Sequence, residues 1–144
     1  DALRKNTYIC LRQGFPLDAD SPVVDYFSFE GRGLPPSGYD TFTWDLSYET
    51  RNDTTRLIVP QSGATLAVIG FRDDPTFDSL GPELLRSLTY SSNSIDMSDD
   101  SPNLAPQFAF AIRTGLGRFV KVRIGDVITS GTKRDLTLEV FVYK

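Results

Sequence analysis

Carboxylates are the residues of this 144-residue chain most able to do chemistry, and they come in groups. Asp96, Asp99, Asp100 and Asn103 fall close together, and Asp73, Asp74 and Asp78 form a second group. Hard oxygen donors at this density suit calcium, which takes about six to eight oxygens, some of them backbone carbonyls. Neither segment has the loop pattern with a central Gly and a terminal bidentate Glu. The expectation is therefore a solvated acidic loop, with calcium on Asp96, Asp99 and Asp100 as the alternative. A pair of carboxyls can also cleave a glycosidic bond as acid and base. Asp45, Glu49 and Glu30 are placed for that on neighbouring strands, but no motif singles out a protonated member, so they read as solvated charges.

Other reactive sets are absent from the sequence. There is no histidine, which removes the Ser-His-Asp triad and most zinc sites. Cys10 is the single cysteine, so no internal disulfide forms, and without a base it reads as a small apolar strand residue. The chain is read as a non-enzyme. Tyr39, Tyr90 and Tyr143 fall in loops or on the second face of a strand, where a ring can stack on a sugar or another flat molecule. Asn52-Asp53-Thr54 has the spacing of a glycosylation acceptor and sits in a turn.

Strands must position these groups. From Thr41 to Thr50, Phe42, Trp44, Leu46 and Tyr48 alternate with Thr43, Asp45, Ser47 and Glu49. Period two predicts one buried and one wet face. Similar segments run from Thr7 to Arg12, Val23 to Glu30, Thr54 to Val59 and Ala64 to Phe71. Three more run from Gln107 to Thr114, Arg118 to Ile124 and Asp135 to Tyr143. Leu66 to Ile69 is apolar throughout and is expected to be buried on both faces. Pro82 to Leu88 is the one helical candidate, with Pro82 in its first turn and Glu83 at the positive end of the dipole. Short strands with turn signals between them predict a single all-β domain over 1–144, an antiparallel sandwich or barrel.

Composition narrows the partners. The net charge is -4 and the Lys and Arg residues are scattered, which disfavours nucleic acid and anionic membranes. No apolar run reaches the ~20 residues of a membrane span. The polar opening from Asp1 to Asn6 fits a cytosolic protein and equally a mature exported one.

Four blocks carry a family resemblance: YFSFEG at Tyr26 to Gly31, TWDLSYET at Thr43 to Thr50, the Phe108 to Ile124 block with its FAIRTGLGRFVKVRI hairpin, and DLTLEVFVY at Asp135 to Tyr143. In this order they resemble the HmuY-like proteins, secreted or lipid-anchored haem binders of Bacteroidetes. The resemblance implies an all-β fold, a secreted or cell-surface location and haem, or a similar flat apolar molecule, held between loops. Family members hold iron through His or Met. With no His and one Met, the resemblance makes Met97 the iron contact, with Tyr90, Tyr39 and Phe77 as pocket walls. The alternatives are a carbohydrate-binding or adhesive sandwich, assisted by calcium, and a structural subunit that assembles as a homo-oligomer.

Overall fold

The computed structural model describes residues 2–11 and 23–27 by their backbone and residues 45–143 with their side chains. Its elements follow in chain order as β1 (Ala2–Leu11), β2 (Val23–Phe27), β3 (Leu46–Thr50), β4 (Arg56–Pro60), β5 (Thr65–Phe71), α1 (Asp74–Asp78), α2 (Pro82–Ser87), β6 (Ile95–Asp96), β7 (Phe108–Arg113), β8 (Phe119–Ser130) and β9 (Lys133–Tyr143). They form two antiparallel sheets, a five-stranded one in the order β1-β9-β8-β7-β5 and a four-stranded one in the order β2-β3-β4-β6.

The expected all-β sandwich is the fold found. Alternation decides which residues line it. Phe108, Phe110 and Ile112 of β7, Val120, Val122 and Ile124 of β8, and Leu136, Leu138, Val140 and Val142 of β9 all turn inward. They meet Leu46, Tyr48, Ile58 and Ile95 of the four-stranded sheet in one core. Inward β-branched and aromatic residues fill a pleated, dry surface well, which is why these strands form here.

The hairpin between β7 and β8 pairs Arg113 with Phe119 and is closed by Thr114 N–H donating to the Arg118 carbonyl at 2.8 Å. Gly117 takes a φ of 85° there, a conformation glycine adopts without strain. Gly115 is required for another reason, because a Cβ at that position would collide with the backbone carbonyl of Ser62.

Four expectations change in detail. A first helix, α1, precedes the expected one, because Asp73 caps it and Pro75 suits its first turn. β5 is buried on both faces only in part, at Leu66 in the core and Ala67 under the helices. It is the last strand of its sheet among the described residues, and Val68 is 59% exposed. The second face of β3 is not wet either. Asp45 and Ser47 are buried, and Ser47 Oγ accepts a hydrogen bond from Gln61 Nε2 at 2.9 Å. Finally, β8 continues past Ile124 to Ser130, after an irregularity between Ile124 and Val127 in its pairing with β9. Glu30 and the loop from Gly31 to Gly38 lie outside the described residues, as does the side chain of Cys10.

The two helices lie over the outer face of the five-stranded sheet. That gives three layers: four strands, five strands, then a short helical cap.

Candidate functional site

The cap is built from local signals. Asp73 precedes α1 in an extended conformation, and its Oδ1 accepts from Thr76 N–H at 3.0 Å and Thr76 Oγ1 at 2.7 Å. These bonds hold the Asp73 carboxyl below its usual range. Gly81 and Pro82 start α2, with Glu83 in its first turn and Arg86 in its last, as the helix dipole favours. Helices of five and six residues do not persist alone. Burial of Phe77, Leu80 and Leu85 holds them to the sheet. Where α1 passes into α2, the chain leaves an open cleft of about 410 Å³ lined by Ser79, Gly81, Pro82, Glu83 and Leu84.

Beneath the cap the sheet offers alanines and cations. Ala67, Ala109 and Ala111 are small enough for Leu80, Leu85 and Phe77 to approach closely. Lys121 is fully buried, with Nζ donating to the carbonyls of Phe77 at 2.7 Å and Asp78 at 3.3 Å. The same ammonium sits 4.7 Å from the centroids of both the Phe77 and Phe141 rings. Burial pulls its pKa down, against the pull of Asp78 and Glu139. Arg123 lies 4.8 Å from the Phe77 ring and bonds Asp74 Oδ1 and Glu139 Oε2, each at 2.6 Å. Burial works against its charge, but the bonds from Glu139 and Asp74 outweigh this and raise its pKa. Phe77 is therefore clasped between two cations, and every buried charge here has a partner that fixes the cap.

The residues singled out by sequence are not gathered in one place. Phe77 is buried under the cap. Tyr90 borders the same layer, its hydroxyl donating to the Leu85 carbonyl at 2.7 Å and its ring edge-on to Phe119 at 5.8 Å. Burial pushes the Tyr90 phenol up to about 12, with Arg113 opposing. Tyr143 stacks on Phe141 and donates to the Leu80 carbonyl at 3.2 Å, so it also serves the cap. Tyr39 lies outside the described residues.

Met97 is on the other side of the five-stranded sheet. Its thioether is fully enclosed in the core between the sheets, beside Leu46, Tyr48 and Ile58. The backbone explains why: Met97 N–H donates to the Arg56 carbonyl at 2.9 Å, continuing the short β6 pairing and turning the side chain inward. A thioether in that position does not fit an axial ligand to haem iron, which needs an open coordination path.

The acidic loop is similarly engaged. Asp99 Oδ1 accepts from the fully buried Arg56 Nη1 at 2.7 Å, and Arg134 Nε lies 3.7 Å away. Asp96 Oδ1 accepts from Ser98 N–H at 2.9 Å, and its carbonyl accepts from Ser101 Oγ and Asn103 Nδ2. Asp100 is exposed at the edge of this turn. In the other acidic group, Asp73 caps a helix and Asp74 pairs with Arg123, while Asp78 is exposed. Among the described residues, no group of three or more His, Cys, Asp or Glu side chains is placed to hold a metal ion. Carboxylates adjacent in sequence are thus spent on separate local tasks.

Arg56, Lys121, Arg123 and Glu139 are the polar residues that sequence reading passed over. One signal was available for three of them. The face of β7 opposite its phenylalanines carries Ala109 and Ala111, and that of β9 carries Phe141 and Tyr143. Small and aromatic residues together on a face expected to be wet indicate a covering layer. Arg56 has no such mark.

No family model, no curated protein and no solved structure matches the chain.

Proposed function

We propose that the chain is a non-enzymatic, exported binding protein of HmuY-like type that holds a flat apolar ligand at the junction of α1 and α2. The observation that carries this reading is the cleft of about 410 Å³ with Gly81, Pro82 and Leu84 in its wall. An exposed leucine alone says little. Here Leu84, 46% exposed, joins Gly81 and Pro82 in one open depression. The cap rests on β7, β8 and β9, the strands that carry the C-terminal blocks of the resemblance. Ser79 and Glu83 at the rim are the polar groups available to orient a ligand. Haem belongs to this ligand class. Binding rests on apolar contact with Gly81, Pro82 and Leu84, so iron is not required.

Titration with haemin and with iron-free protoporphyrin tests this by the shift of the Soret band. Both porphyrins bind, with affinities within about threefold of each other. Leu84→Asp weakens both by about tenfold, equivalent to about 1.4 kcal/mol. An unshifted Soret band overturns the proposal. So does binding that survives Leu84→Asp and disappears in Met97→Ala, which would return the site to the sandwich core.

A further inference from the structure

The turn between β3 and β4 bears a motif that ligand binding leaves unused. Asn52-Asp53-Thr54 is the one Asn-x-Ser/Thr triplet in the chain. The four turn residues from Arg51 to Thr54 are all exposed. The Asn52 carbonyl Oδ1 accepts three hydrogen bonds, from Thr54 N–H at 3.0 Å, Thr54 Oγ1 at 3.1 Å and Thr55 N–H at 2.9 Å. That leaves Nδ2 as the unengaged end of an exposed amide.

The back of the turn is tied down. Arg51 N–H donates to the Thr55 carbonyl at 2.9 Å, Asp99 N–H donates to the Thr54 carbonyl at 2.9 Å, and the buried Arg56 Nη2 donates to the Asp53 carbonyl at 3.0 Å. A turn held in place from beneath presents its front without a large ordering cost on binding.

We propose that Asn52 is an acceptor for N-linked glycosylation, with Thr54 as its positioning residue. In the transfer, Nδ2 attacks C1 of a sugar carried on a polyprenyl pyrophosphate. The bond from C1 to the pyrophosphate oxygen breaks and its electron pair leaves with the pyrophosphate. One proton passes from Nδ2 to a base of the transferase. The Thr54 hydroxyl, by donating to Oδ1, draws electron density from the amide and makes that proton easier to remove. The hairpin tip carries no core residue, so a glycan there costs the fold little. The modification is of use only to a chain that meets a transferase outside the cytosol, so it rests on the exported reading. Its chemistry is testable separately from ligand binding.

The folded protein is incubated with a single-subunit oligosaccharyltransferase and a lipid-linked oligosaccharide, and intact mass is read. Wild type gains the mass of one glycan. Asn52→Gln gains none, Thr54→Ala loses at least about nine-tenths of the product, and Thr54→Ser retains it. Far-ultraviolet circular dichroism establishes that the variants are folded. An unmodified wild type overturns the proposal, as does a glycan that persists in Asn52→Gln. Neither result alters the porphyrin titration, so the two proposals fail independently.

Discussion

Arg56→Met is the substitution that most directly tests whether the acidic loop is held by an internal cation. The guanidinium has no exposed surface and makes three short hydrogen bonds, to Asp99 Oδ1 at 2.7 Å, the Thr132 carbonyl at 2.8 Å and the Asp53 carbonyl at 3.0 Å. These partners belong to the acidic loop, the β8–β9 turn and the β3–β4 turn, so one side chain ties three loops together. Hydrogen bonds to a charged group contribute ~1.5–3 kcal/mol each, a gross ~4.5–9 kcal/mol. Methionine removes the cost of burying the cation, which offsets several kcal/mol of this. The Thr132, Asp53 and Met97 carbonyls and the Asp99 carboxylate then lose a donor, and the expected net loss is ~3–5 kcal/mol. With an m-value of about 2 kcal/mol/M, the urea midpoint falls by ~2 M. Asp99→Asn keeps an oxygen that can accept from Nη1 but leaves the fully buried guanidinium without its counter-charge, so it costs ~2 kcal/mol. The two changes are coupled by about the same amount in a double-mutant cycle. A fall of less than ~0.5 M for Arg56→Met refutes the reasoning. So does a wild-type midpoint that rises in millimolar calcium, since that would make the loop carboxylates ion ligands.

Two further outcomes follow from the same geometry. Met97→Ala opens a cavity between the sheets and lowers stability by ~2–4 kcal/mol in urea unfolding, while porphyrin affinity is unchanged. A loss of binding without loss of stability would reverse both assignments. Alkaline titration reads the cap through Tyr90, whose phenol rises from 10.0 to about 12 on folding because burial disfavours the phenolate. Its contribution to stability is therefore full below pH 10.0 and is lost as the pH rises through about 12. Tyr90→Phe flattens this limb of the stability curve and removes one late-titrating phenol from the near-ultraviolet absorbance. A mutant curve parallel to wild type across that range would place the ring in solvent.

Much of the sandwich was legible because its signal is local and repeated. Phe108, Phe110 and Ile112 need only alternate along one strand to declare a buried face, and they are buried. Leu136, Leu138, Val140 and Val142 do the same on β9. Pro82 and Glu83 mark a helix start in any context. The second face of each strand was not legible in this way. Lys121 and Arg123 satisfy the polar half of an alternating strand whether water or a helical layer meets them. The placement of Met97 was hidden for a similar reason. A methionine within SSNSIDMSDDSPN is surrounded by loop residues in sequence, and only the pairing of Leu57 and Ile58 with Asp96 and Ile95 draws it inward.

By itself, then, the chain of side-chain types determined the class of fold, the inner lining of the sandwich, the hairpin between Arg113 and Phe119 and the Asn-x-Thr triplet at Asn52. These depend on contacts a few residues apart or on a period of two, and such patterns survive any long-range arrangement. Tertiary structure alone decided that the outer face of the five-stranded sheet is covered, that Lys121 and Arg123 clasp Phe77, and that Asp99 answers Arg56 across 43 positions of chain. A charge is read as solvated until something brings its counter-charge to it in a place without water. Which groups meet there depends on how the sheets stack and where the cap lies, and no stretch of sequence records that.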